Sequence, residues 1–420
     1  MKKSLVLLLL SSLVSGLYAR QPRTVVEPPF AFRNSGTLEI ERIELAPEST
    51  TVYIQAYFRP HNWIRISSET YIRTGAEGEK LTVRSADGMP LDTEFYMPET
   101  GRHDFSLSFP PVDPKTAKID LIESDCPDCF KIYDIDLTGK KAKPGRSALA
   151  KKYKKAAPLT ENFTAPVVSD SPARIAGAIT GYDPRFFDRI EIAFYSPIVG
   201  DGATELSVPV REDGSFETGL NILTPIRGML FLPGFVTLPF YAEPGRETAL
   251  EIDLGAVYRK TSVFKELHPQ TSPVAYYGEL GRVNEELARL QKIQIRTGTL
   301  HIGYHFDRLT RIHGMRPEQY KQYVTEESAR RLAQIDTLKE FCPRSREIAE
   351  KTVRAETLTD LLNYSTMMEH AYRTVNELWD RSQPLDIEIE KPGLLRFRER
   401  LSGQRRNDAR SRHDGPRCAQ

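Results

Sequence analysis

The sequence predicts a multidomain β-plus-α protein: two antiparallel β-sandwich-like domains followed by a helical region. Three observations carry this. Short alternating strand patterns separated by turn signals fill residues 24–138 and again 166–258. A basic, acid-free stretch separates the two. Beyond residue 272 the apolar period changes from two to about 3.6 residues.

The 420 residues suffice for several domains, and the 40% hydrophobic and 27% charged content is that of a folded chain. With 58 basic against 57 acidic residues, no overall bias draws the chain to polyanions, which argues against nucleic acid as a partner. Residues 1–19 have the parts of a secretory signal peptide. Lys2 and Lys3 precede the largely apolar Leu5 to Val14, and Ser15, Gly16 and Ala19 follow. That run is too short to span a bilayer of about 30 Å as a helix. No cysteine lies near the expected cleavage after Ala19, so no lipid anchor is expected. The expected location is the periplasm or cell envelope. Export permits disulfides, but with only four cysteines the domains must rely on buried cores.

In the first domain, 24–138, strand patterns occur at Leu38 to Ile43, Thr51 to Phe58, Trp63 to Ile66, Tyr71 to Arg73 and Phe105 to Phe109. Asp87-Gly88 is a turn signal. Trp63 and the Phe and Tyr side chains read as core and not as a ligand platform, because aromatic residues bury the most area in a sheet. The domain closes on Ile119 to Leu137, two alternating strands joined by Cys126-Pro127-Asp128-Cys129. This is the one place where two reactive side chains are close in sequence. A catalytic thiolate needs a helix N-terminus or a nearby cation. Here the pair sits between strands, beside Glu123, Asp125 and Asp128. Cys126 and Cys129 therefore read as a local disulfide, or a pair of thiols, clipping a hairpin. A weak redox switch is the alternative. Zinc is disfavoured, because nothing in the spacing supplies two further ligands.

Residues 139–165 read as a basic linker. Gly139 to Lys155 holds eight Lys or Arg and no acid. Lys151, Lys152, Lys154 and Lys155 are candidate contacts for a polyanion or membrane surface, against the plainer reading of a solvated, self-repelling linker. In the second domain, 166–258, Arg189 to Tyr195 alternates, Asp213-Gly214 reads as a hairpin turn, and Glu243 to Arg246 as a turn before the strand Ala249 to Leu254. No carboxylate pair is spaced for acid–base work.

In the helical region, 272–401, Ser272-Pro273 reads as an N-cap and first helical residue. Tyr276, Leu280, Val283, Leu287 and Leu290 then mark one face. A second helix starts at Arg316-Pro317, and a long pattern runs from about Ser345 to Asp380. Its Leu358, Leu361, Leu362, Met368, Tyr372, Val375 and Trp379 are expected to pack inward. His301 and His305 share a helical turn and are weak metal candidates, since Ile302 stands where a zinc protease has Glu. Residues 402–420 have five Arg, no Leu, Ile, Val or Phe, and no period, and read as a disordered tail of truncated or frame-shifted character.

The run FSLSFPPVDPKTAKIDLIES at Phe105 to Ser124 and the strand FKIYDIDL at Phe130 to Leu137 resemble a known family, as do EDGSFE at Glu212 to Glu217 and YYGELGRVNEEL at Tyr276 to Leu287. The likeness is to the front part of exported, multidomain TlpA-type thiol-disulfide oxidoreductases with a thioredoxin-like domain. The resemblance implies a thioredoxin domain after the helices, with Trp-Cys-x-x-Cys opening a helix. Here neither Trp63 nor Trp379 precedes a cysteine, so no catalytic residue can be assigned and no cofactor is expected. The resulting expectation is a non-catalytic, binding or positioning portion of such a reductase, with an envelope protein or glycan as partner and peripheral membrane contact as an option. A surface-binding or adhesive module is the alternative.

Overall fold

The computed structural model describes residues 22–139, 148–195, 202–234, 236–264, 272–291, 302–386 and 389, although not the side chains of 148, 291 and 302–306. The predicted signal peptide and tail lie outside the described residues, as does His301. The chain forms two compact units, one of residues 1–157 and 167–281, the other of residues 158–166 and 282–420.

The first unit contains both sandwiches, and its described pairings are antiparallel apart from one. In the first sandwich, one five-stranded sheet is built around Leu38–Leu45, Thr50–Tyr57 and Arg102–Phe109. The facing sheet is built around Lys131–Asp136, Lys118–Ile122 and Tyr71–Arg73. Alternation selects the core: Ile54, Leu107, Phe109, Ile119 and Leu121 turn inward, while Ser106 and Ser108 stay half-buried on the other face.

The second sandwich has two four-stranded sheets. Its exception to the antiparallel rule is Ala173–Thr180, which runs parallel to Glu247–Asp253. Asp213-Gly214 makes a tight turn, with Gly214 at φ +78° and its N–H donating to Arg211 O at 2.8 Å. An added Cβ there would meet Ile179 O at 2.7 Å. The turn does not close a hairpin, however. Ala203–Pro209 before it and Ser215–Leu220 after it belong to different sheets, so the turn carries the chain across the sandwich. Turn chemistry fixes the reversal, whereas the partner of each strand is fixed by tertiary pairing.

A shared aromatic seam joins the two sandwiches. Phe32, 1% exposed, stacks on Phe186 at 5.1 Å and meets Tyr258 edge-on at 5.2 Å. Beside it, Arg185 donates to Asp120 (2.9 Å), Asp134 (3.1 Å) and Asp183 (3.0 Å). The buried pair Arg33–Glu39 (2.8 Å) is completed by Thr261, which accepts from Arg33, and Ser262, which donates to Glu39. Buried charges persist only when paired and hydrogen-bonded in this way.

The helical reading needs two corrections. Ser272-Pro273 opens no helix. It leads into the strand Val274–Tyr277, where Tyr276 pairs with Leu250. Four residues rich in aromatic and β-branched side chains fit either period, and a free sheet edge decides for strand. The helix begins at Gly281, and Val283, Leu287 and Leu290 are buried along it. The pattern from Ser345 to Asp380 is two helices, Pro343–Leu362 and Tyr364–Val375, interrupted at Asn363. The break resets the helical phase. In the first helix Ile348, Ala349 and Val353 form the buried face, so Leu358 and Leu362 are exposed and Leu361 half-buried; in the second Tyr364, Met368 and Ala371 are buried, Tyr372 is half-buried and Val375 exposed, and Trp379 lies exposed beyond the helix end.

Residues 158–166, read from the sequence as the end of the linker, pack within the second unit. The Arg344 guanidinium lies 3.9 Å from the Phe163 ring centroid, and Phe163 N–H donates to Glu347 at 2.9 Å. Farther along, Arg308 makes a two-pronged buried pair with Asp360 at 2.7 and 3.3 Å.

Candidate functional site

The CPDC turn is the first candidate. Strands Lys118–Ile122 and Lys131–Asp136 pair on either side of it, so the turn projects from the end of a hairpin with no helix behind it. Cys126 and Cys129 form a disulfide with Cα atoms 5.3 Å apart. Cys126 is exposed and Cys129 half-buried. Ser124 Oγ lies 3.1 Å from Cys129 Sγ, and Asn34 ties the turn to the sheet by donating to Cys129 O (2.8 Å) and accepting from Lys131 N–H (2.7 Å). The adjacent acid is not free: Asp125 binds Lys80 at 2.6 Å and accepts from the Tyr71 hydroxyl at 3.0 Å. Lys80, then Tyr71, hold the Asp125 carboxyl below its usual range. Burial, with the Asp125 bond adding to it, pushes Tyr71 up to about 12. The cysteines are joined to each other, which ties the two ends of the turn together.

The lysine candidates fall on and just after the short helix Ala148–Lys152. All four are exposed. Lys152 leans over the Tyr153 ring (4.7 Å) and toward Glu247 (3.9 Å), so an acid partly neutralises the patch. Of the histidine candidates, His301 is outside the described residues and the side chain of His305 likewise. Among the described residues, no group of three or more His, Cys, Asp and Glu side chains is placed to hold a metal. Cys342 is buried at the start of the helix Pro343–Leu362, with Ser345 Oγ 3.2 Å from its sulfur.

One surface reverses an expectation. Trp63 is not core: it is 49% exposed, and Tyr96 is 61% exposed. The two are directly opposed in the antiparallel ribbon formed by Trp63–Ile64 and Phe95–Tyr96. Directly opposed residues project to the same side with Cβ atoms about 5 Å apart. The physical cause is alternation. Ile64, Ile66 and Met97 turn into the first sandwich core, which forces Trp63 and Tyr96 outward.

The ribbon is anchored from beneath. Phe95 stacks on His103 at 4.1 Å, and His103 bonds Gly88 O at 2.8 Å through Nε2. Gly101, at φ +63°, closes its far end by accepting from Phe58 N–H, and a Cβ there would meet Phe58 O at 2.6 Å. Around the rings lie polar groups of both signs. Tyr96 donates to Glu94 (3.0 Å), and His61 sits 3.2 Å from Glu99. The Glu94 bond raises the Tyr96 pKa above its ordinary value. The signal was present in the sequence: in Trp63-Ile64-Arg65-Ile66 the two isoleucines claim one face, leaving Trp63 with Arg65 on the other.

No family model matches the chain, and no curated protein matches it. Partial likenesses are found among solved pullulanases. The type I enzyme of Bacillus subtilis str. 168, solved with maltose, is 8% identical over 46% of this chain and 23% of its own, at a TM-score of 0.20. The enzyme of Anoxybacillus sp. LM18-11 is 8% identical over 46% and 24%, at 0.18. That of Bacillus acidopullulyticus is 10% identical over 51% and 35%, at 0.16. The chain thus spans about a quarter to a third of these enzymes' length, and at such TM-scores the likeness supports no conclusion about fold or function.

Proposed function

We propose that this chain is a non-catalytic binding and positioning module of the cell envelope, with the first sandwich as its ligand-facing element. In this reading it corresponds to the front part of an exported TlpA-type thiol-disulfide oxidoreductase. The signal-like residues 1–19 and the CPDC disulfide support the compartment. Among the described residues no helix is long and apolar enough to cross a membrane. The observation that carries the binding role is the paired ribbon that turns Trp63 and Tyr96 to solvent. An exposed aromatic pair on an anchored scaffold offers π faces and apolar area that a ligand can bury.

The test is co-sedimentation of the full chain with insoluble envelope material. The chain is expected to pellet, and Trp63→Ala with Tyr96→Ala to leave it in the supernatant. Pelleting that survives the double substitution would remove the ribbon from the account. In parallel, turnover of insulin reduction with dithiothreitol would contradict the non-catalytic assignment.

A further inference from the structure

Resting on the binding reading above, we propose that the Trp63–Tyr96 face is a subsite for a neutral oligosaccharide, one or two sugar rings stacking on the aromatic pair. Three features favour this ligand. The first is size. Two half-exposed rings offer roughly 200 Å² of apolar surface, given about 150–250 Å² for a whole aromatic side chain. A stable protein–protein interface needs about 800 Å² from each partner; Ile64, Ile66 and Met97 are turned inward, and adding Phe58, 41% exposed at the ribbon's closed end, leaves the patch far below that. The area matches a pyranose or two.

The second is chemistry. A pyranose has a face of C–H groups, weakly positive, and an equatorial edge of hydroxyls. The C–H face complements the negative π face of an aromatic ring. The hydroxyl edge needs donors and acceptors around that ring. Arg65 and Glu94 each lie two residues from a ring along the same extended segment, hence on the same side, and both are exposed. His61 and Glu99 pair nearby. The bidentate carboxylate and the planar guanidinium are groups that can each engage two adjacent hydroxyls.

The third is charge. Arg65 stands against Glu94 and Glu99, so the rim has no cationic excess. A polyanion would meet two carboxylates, and an anionic lipid surface would be repelled by them. A neutral ligand meets neither obstacle. The anchoring of Phe95 by His103 fixes the ribbon before a ligand arrives, which lowers the ordering cost of binding.

The experiment uses the full chain with Trp379→Phe, since the chain has two tryptophans and this leaves Trp63 as the sole indole reporter. It is titrated with hexasaccharides of β-1,4-linked glucose, α-1,4-linked glucose and β-1,4-linked N-acetylglucosamine, following tryptophan fluorescence. At least one sugar is expected to give a saturable change. By calorimetry, Trp63→Ala and Tyr96→Ala should each weaken that sugar tenfold or more with an unchanged melting temperature, while Trp63→Phe should retain part of the affinity. Absence of saturable binding by all three sugars, or binding indifferent to both alanine substitutions, would overturn the proposal. Should envelope pelleting still depend on the ribbon while no sugar binds, the ligand class is wrong and the binding role stands. Ribbon-dependent binding to phosphatidylglycerol vesicles, without sugar binding, would likewise overturn it.

Discussion

The CPDC turn closes a hairpin and the aromatic ribbon pairs two segments far apart in sequence, yet both lie on the first sandwich and they expose opposite chemistry. At the turn the reactive side chains are spent on each other: Cys126 bonds Cys129, and Asp125 is taken by Lys80 and Tyr71. At the ribbon the apolar side chains beneath are satisfied by the core, and the two rings are left to solvent. Residue type alone marks the turn as the reactive place. Position within the sheet marks the ribbon as the available one.

The largest contrast to test is between aromatics of the seam and of the ribbon. Phe32→Ala should cost about 3–5 kcal/mol, as truncation of a fully buried ring does. Trp63→Ala should cost under about 0.5 kcal/mol, as exposed substitutions do. Urea unfolding of the two variants checks this, and equal costs would mean that Trp63 is packed after all. Next in size, loss of ligand through the ribbon variants should be tenfold or more, or about 1.4 kcal/mol. The disulfide ranks below the seam as well. Closing so short a loop contributes at most about 2 kcal/mol by chain entropy, so Cys126→Ser with Cys129→Ser should lower the melting temperature modestly and leave ligand affinity unchanged.

The smallest expected effect lies at the charged seam. Asp183 is held below its ordinary value by hydrogen bonds from Arg185. A carboxyl depressed in the folded state contributes stability above its unfolded pKa, about 3.9, and loses it as pH falls through the lower folded value. Being partly solvent-screened, it should contribute under about 1 kcal/mol. Melting curves between pH 2 and about 6 should therefore flatten slightly in Asp183→Asn relative to the native chain. An unchanged slope would separate Asp183 from the acid response.

The sandwiches were legible because alternation with turn residues survives tertiary context. The two strands around the CPDC turn and those at Leu38–Leu45 and Thr50–Tyr57 are where their patterns place them. Topology was not legible. The pattern at Asp213-Gly214 cannot say that its flanking strands enter different sheets, nor can Tyr276 say that a sheet edge awaits it. The ribbon was half legible. Assigning Trp63 by residue type placed it inside, while the flanking isoleucines, only two residues of evidence on a short strand, pointed it outward. The Asn363 break had no proline or glycine to announce it, so one stripe was drawn through two helices and beyond their end, and Leu358, Leu362 and Trp379 were misplaced.

The contrast between turn and ribbon is tested most directly by one parallel titration. Native chain, the Trp63→Ala/Tyr96→Ala variant and the Cys126→Ser/Cys129→Ser variant are titrated by calorimetry with the hexasaccharide that binds the native protein best. The ribbon variant should lose at least tenfold in affinity while the cysteine variant binds as the native chain does. Undiminished binding by the ribbon variant, or loss confined to the cysteine variant, would contradict the account.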